Sequence, residues 1–153
     1  MFKVFFEDLE VGSSEEYGEK LVDRDEVIAF ATDFDPQGFH LDDEAAKNSP
    51  FGRLCASGWH TAAMTMRMIV DNLKRTGYAG MGSPGLDQLR WRRPVFPGDV
   101  LRVRSTVLEK GSMPKRPALG VVKNQAEVLN QDDEVVMTMV SNVMVLRREP
   151  LPE

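Results

Sequence analysis

Asp35 and His40 stand five positions apart in "DPQGFH", with Pro36 and Gly38 between them, so the chain can turn back and bring a carboxylate to an imidazole. A water held between those two groups could be added to a substrate or taken from one. Histidine titrates near neutrality, with an ordinary pKa of about 6.5, and a carboxylate in a poorly solvated pocket can be tuned toward the same range. Ser57 and Gly58 follow where the longest helical pattern of the chain begins. The free N–H groups of a helix start, at the positive end of its dipole, suit a developing oxyanion, and glycine lets a ligand approach the backbone. The same residues also read as a serine cap and a glycine that relieves crowding.

Other chemistries fit less well. A Ser57, His60, Asp35 triad lacks the G-x-S-x-G elbow. Two histidines and scattered carboxylates form no metal-binding cluster, and no glycine-rich phosphate loop with a lysine occurs, so neither a metal nor another cofactor is expected. His60, in the first turn of a mostly apolar helix, reads as a packed residue with one satisfied hydrogen bond. Cys55, the only cysteine, reads as a small buried side chain and can form no intramolecular disulfide.

The elements that must position these groups follow from periodicity. Asp23 and Glu26 give a D-x-x-E start for a short helix with Val27, Ile28, Phe30 and Ala31 on its apolar face, ended by Pro36. One further turn or two is expected near Asp42 to Lys47. From Gly58 to Thr76, Trp59, Ala62, Ala63, Met66, Ile69, Val70 and Leu73 recur at helical spacing, and Gly77 supplies the stop. This predicts a helix covered on most sides. Beyond it the period becomes two: Leu101, Val103 and Val107 alternate with Arg102, Arg104 and Thr106, and two further strands flank a turn at Asn130 to Asp133. Long antiparallel strands beside one buried helix imply an α+β fold with the sheet curled around the helix.

At 153 residues and 42% hydrophobic content the chain is expected to form one domain, residues 1–153, with a core that needs no staples. A net charge of -5 opposes attraction to phosphate backbones and anionic lipid, and the alternation of Arg90, Trp91 and Arg92 reads as a strand with a solvated face. No nucleic-acid or membrane partner is expected. The lone cysteine and the absence of a signal-like start fit a cytoplasmic setting.

The stretch "DPQGFHLDDEAAKNSPFGRLCASGWHTAAM" resembles the MaoC-like dehydratases, relatives of the (R)-specific enoyl-CoA hydratases, and the likeness continues through "LRWRRPVFPGDVLRVRSTVLE" and "VLNQDDEVVMTMVSNVMVLRR". The resemblance implies the hotdog fold, a long helix wrapped by a curved antiparallel sheet. It implies Asp35 and His40 as the catalytic pair, Gln37 at the family's amide position and Gly58 as the residue whose N–H holds the thioester carbonyl. Ser57, where many relatives carry histidine, joins Gly58 and Gln37 as a candidate oxyanion or substrate-binding residue. Gly38 replaces a usual proline and loosens the turn. The implied activity is reversible hydration of 2-enoyl thioesters of coenzyme A or acyl carrier protein, with no cofactor, by at least a homodimer. A hotdog thioesterase and a non-catalytic acyl-thioester binder are the alternatives. Asp71, the only acid on the long helix, lies too far from Gly58 to suit the thioesterase. Lys115 and Arg116 read as a solvated loop, with coenzyme A phosphates as the other possibility.

Overall fold

A computed structural model describes residues 1–152. Three α-helices and five strands run in the order β1 (Ser14–Leu21), α1 (Arg24–Phe34), α2 (Asp43–Lys47), α3 (Gly58–Thr76), β2 (Leu86–Trp91), β3 (Val100–Ser112), β4 (Leu119–Leu129) and β5 (Val135–Leu146). The strands form one antiparallel sheet in the order β1-β3-β4-β5-β2, and α3 packs on its inner face, the hotdog arrangement of the α+β class.

The helix limits follow the local chemistry. Asp23 caps α1 by accepting from Glu26 N at 3.0 Å, and the helix stops at Phe34, two residues before Pro36. Ser57 caps α3, and Gly77, at φ 73°, closes it in the left-handed conformation that glycine adopts without strain. On β3, Leu101 and Val103 point inward between outward arginines. On β4, Val122, Ala126 and Val128 do the same. Apart from Val122, these residues join Val27, Leu54, Met64, Met68 and Met137 in the main core. A second apolar cluster, Phe6, Ala79, Val122 and Val145, lies toward the other end of the sheet.

Two features depart from the sequence pattern. The buried stripe of α3 is Thr61, Met64, Thr65, Met68 and Asn72, whereas Trp59, Ala63 and Met66 are exposed and Ile69, Val70 and Leu73 only partly covered. The expected stripe is therefore split: Trp59 and Ala63 are exposed, whereas Met66, Ile69 and Leu73 line a cavity between the helix and the sheet. The other departure is β1, which carries no alternating signature because most of its residues are exposed. Gly18 explains its placement: at φ 85°, a Cβ there would stand 2.7 Å from Met68 Sδ, so only glycine lets this strand approach α3 so closely.

Candidate active site

Asp35 is the residue on which α1 ends, and its backbone N–H still donates to Ala31 O at 2.9 Å. Pro36 then turns the chain into a short 3-10 turn, Gly38–His40, fixed by His40 N donating to Gln37 O at 2.9 Å. This brings His40 Nε2 to 3.4 Å from Asp35 Oδ2, with both side chains largely withdrawn from solvent. Gly38 has a packing reason: a Cβ there would lie 3.0 Å from Ala45 Cβ on α2, so the glycine lets α2 close against the turn that carries His40.

The imidazole is held from behind. His40 Nδ1 stands 2.7 Å from the carbonyl oxygen of Cys55, which can only accept, so Nδ1 carries a proton and donates to it. In the neutral ring Nε2 is then a lone pair aimed at the Asp35 carboxylate. Two acceptors 3.4 Å apart make no hydrogen bond of their own, and a water donating to both would satisfy them. Phe39 meets the ring edge-on at 4.6 Å and the exposed Phe51 lies 6.5 Å away, giving the pair an apolar wall.

The carboxylate is held equally firmly. Ser57 Oγ donates to Oδ2 at 2.7 Å, and Gln37 Nε2 donates to Oδ1 at 2.7 Å. Ser57, fully buried, is the stronger influence in holding the Asp35 carboxyl below its usual range. Burial works against it, the Gln37 amide adds to the lowering, and His40 adds to it when the ring is protonated. A carboxylate tuned upward toward neutrality is therefore not what the fold builds: Asp35 is an ionised acceptor. Ser57 and Gln37, candidates for substrate or oxyanion contact, each donate to Asp35, and Gln37 keeps a second N–H and its carbonyl oxygen.

Gly58 opens α3, and its N–H makes no hydrogen bond among the described residues. A Cβ here would fall 2.5 Å from a ring carbon of Trp91, so the indole of β2 covers the glycine and leaves no room for a side chain. Trp91 meets Trp59 in a tilted T at 5.1 Å, and both are exposed.

The competing arrangements do not assemble. His60 stacks on Phe30 at 4.7 Å, its Nδ1 has no partner, and burial pushes its pKa down, so the single satisfied hydrogen bond expected for it is missing at that atom and no triad with Ser57 exists. The Cys55 thiol is buried and pushed up to about 11, which leaves it unreactive. The part of Cys55 that matters is its carbonyl, a role that no side-chain reasoning finds. Asp71 is exposed and paired with Arg67 at 2.9 Å. Arg93 is tied to Glu134 and Arg92 to Thr138, so the arginine run is no free basic patch. Lys115 and Arg116 sit in the β3–β4 turn, toward the end of the sheet where α3 finishes. Among the described residues no group of three or more His, Cys, Asp or Glu could hold a metal, and no helix is long and apolar enough to cross a membrane.

Along α3, beginning at Met66, a cavity of about 540 Å³ separates the helix from the inner sheet face, within the range of small-molecule pockets. Its walls are mostly apolar, with Ile69, Leu73, Val107, Met139 and Val143 among them.

An Asp–His pair close to a helix-start N–H that makes no hydrogen bond among the described residues, on this fold, is the arrangement that hydro-lyase chemistry requires. Residues 10–129 match the family model described as MaoC like domain, and the chain belongs to that family. It is 43% identical to the MaoC-like dehydratase from Rhodospirillum rubrum, covering 96% of this chain and 99% of that one with a TM-score of 0.86. It is 31% identical to the 3-hydroxybutyryl-CoA dehydratase of Methylorubrum extorquens, over 95% of this chain and 87% of that protein. The R-hydratase PhaJ1 from Pseudomonas aeruginosa, 26% identical, aligns over 97% of this chain and 94% of its own with a TM-score of 0.68.

Proposed function

We propose that this chain, as a single domain, hydrates 2-enoyl thioesters and dehydrates 3-hydroxyacyl thioesters, with Asp35 and His40 as the catalytic pair. The observation that carries the reading is the 3.4 Å approach of His40 Nε2 to Asp35 Oδ2, each fixed from behind by donors and acceptors that leave those two atoms facing one another. A water between them gives up one proton to the pair while its oxygen bonds to the β-carbon. The π electrons move toward the thioester oxygen, where the Gly58 N–H stabilises the developing charge, and the proton returns to the α-carbon. Atoms and charge balance with no cofactor, and the reverse sequence expels water.

Acyl-CoA is the substrate class suggested by the relatives, and the cavity along α3 is the space that an acyl chain would take. Met66, where the cavity begins, is eight residues from Gly58, about 12 Å at 1.5 Å per residue. A homodimer fits the exposed apolar surface formed by Trp59 and Met66 on α3 and Leu86 and Trp91 on the edge strand β2, since such a patch beside an open sheet edge invites a second copy.

The test is turnover of a panel of short and medium 2-enoyl-CoAs, following loss of enoyl thioester absorbance together with free thiol. Consumption of the enoyl group without thiol release is the expected result. Thiol release in its place would transfer the site to a thioesterase.

A further inference from the structure

The inner faces of β3, β4 and β5 are apolar except for one row. Ser105, Asn124 and Ser141 all point inward: Asn124 stands opposite Ser141 in the β4–β5 register and diagonal to Ser105 on β3. On one side the row is flanked by Val103, Ala126 and Met139, and on the other by Val107, Val122 and Val143. It therefore separates the two apolar clusters of the core, and it lies on the wall of the 540 Å³ cavity. A polar stripe set into a buried apolar surface costs stability unless its groups are satisfied.

They are satisfied only in part. Asn124 Nδ2 donates to Ser105 Oγ at 2.7 Å and Asn124 Oδ1 lies 3.1 Å from the same hydroxyl, so both ends of the amide meet one neighbour and its second N–H is left over. The Ser141 hydroxyl makes no hydrogen bond among the described residues. Tyr17 and Tyr78 also line the cavity as neutral phenols, and burial pushes their pKa further up, to about 12. No lysine, arginine or histidine lines it, and the one charged residue that does, Glu15, is an acid bonded to Asn72 at 3.0 Å. The cavity thus offers neutral donors and acceptors and repels anions.

We propose that the Ser105–Asn124–Ser141 row selects an acyl chain bearing an uncharged oxygen, a hydroxyl or ether beyond the reacting carbons, over a plain alkyl chain or one ending in a carboxylate. This rests on the reading of the cavity as the acyl site of a hydratase. A chain oxygen seated at the row would accept from the second N–H of Asn124 and pair with the Ser141 hydroxyl, while Met66, Ile69 and Met139 cover the methylenes.

The experiment is binding by calorimetry of saturated acyl-CoAs of equal length, which cannot be hydrated: one plain, a series with one hydroxyl at successive carbons past the β-carbon, and one with a terminal carboxylate. At least one hydroxylated member is expected to bind about tenfold tighter than the plain chain, the effect of one well-placed hydrogen bond, with the carboxylate weakest. In Asn124→Leu the preference should fall to about twofold or less, with no gain in melting temperature, because the buried Ser105 hydroxyl loses its amide partner. Ser141→Val serves as the second variant and should weaken the preference in the same direction. Plain-chain binding equal to or tighter than every hydroxylated member, a preference that survives both variants, or no binding by any member overturns the proposal. Turnover of a plain 2-enoyl-CoA is scored separately: normal turnover without a hydroxyl preference removes this proposal alone, and a preference without turnover removes the hydratase reading alone.

Discussion

The two ends of α3 handle buried polar groups in opposite ways. At its start, both carboxylate oxygens of Asp35 and Nδ1 of His40 have protein partners, and His40 Nε2, 3.4 Å from Asp35 Oδ2, is the ring nitrogen left for a bridging water. Farther along, the Ser105, Asn124 and Ser141 row is only partly matched and lines a cavity that a chain could fill. Full satisfaction fixes geometry for a reaction, and partial satisfaction leaves room for a choice among ligands.

Substitutions can break that contrast at either end. The largest effect is expected at the reacting pair: Asp35→Asn or His40→Ala should lower kcat for hydration by about 10²–10⁴-fold, the range of a lost general acid or base, with unchanged circular dichroism. Next is Gly58→Ala, whose Cβ would meet Trp91 at 2.5 Å and push the helix start away from the substrate oxygen. A loss of about 10²-fold in kcat is expected, comparable to losing one oxyanion donor. Retained activity in a folded Gly58→Ala protein would remove the N–H from the mechanism.

Ser57→Ala sharpens the description of the carboxylate. The Asp35 carboxyl is depressed in the fold, first by the Ser57 hydroxyl. Its stabilising contribution is therefore present above the unfolded value of 3.8 and lost as pH falls through the lower folded value. Removing the hydroxyl should move the acid limb of the kcat/KM profile to higher pH, and Ser57→Thr, which keeps it, should restore the limb. A limb that does not move would mean that another group sets it. The smallest expected effect is on stability alone: Gly18→Ala, strained at φ 85° and crowding Met68, should cost about 1–3 kcal/mol in denaturant unfolding.

Much of the reacting end was legible in the sequence because its signals are local. Asp35, Pro36 and His40 lie within one turn, and Ser57, Gly58 and Gly77 are helix-boundary residues whose types report their backbone roles. The second end was not legible, since its row joins residues from three strands through register. Which side of α3 is buried was also hidden: Trp59, Met66 and Leu73 form an apolar stripe whether the partner is this chain's sheet or a second copy. The Cys55 carbonyl and the donors from Ser57 and Gln37 to Asp35 depend on contacts that no residue type announces.

The most direct measurement is the rate at which native protein and Asp35→Asn hydrate a 2-enoyl-CoA, with free thiol monitored in the same cuvette. Loss of enoyl absorbance by the native protein alone, with no thiol released, is the expected result. Equal rates from both proteins, or thiol appearing as the enoyl group disappears, would contradict a water held and activated by Asp35 and His40.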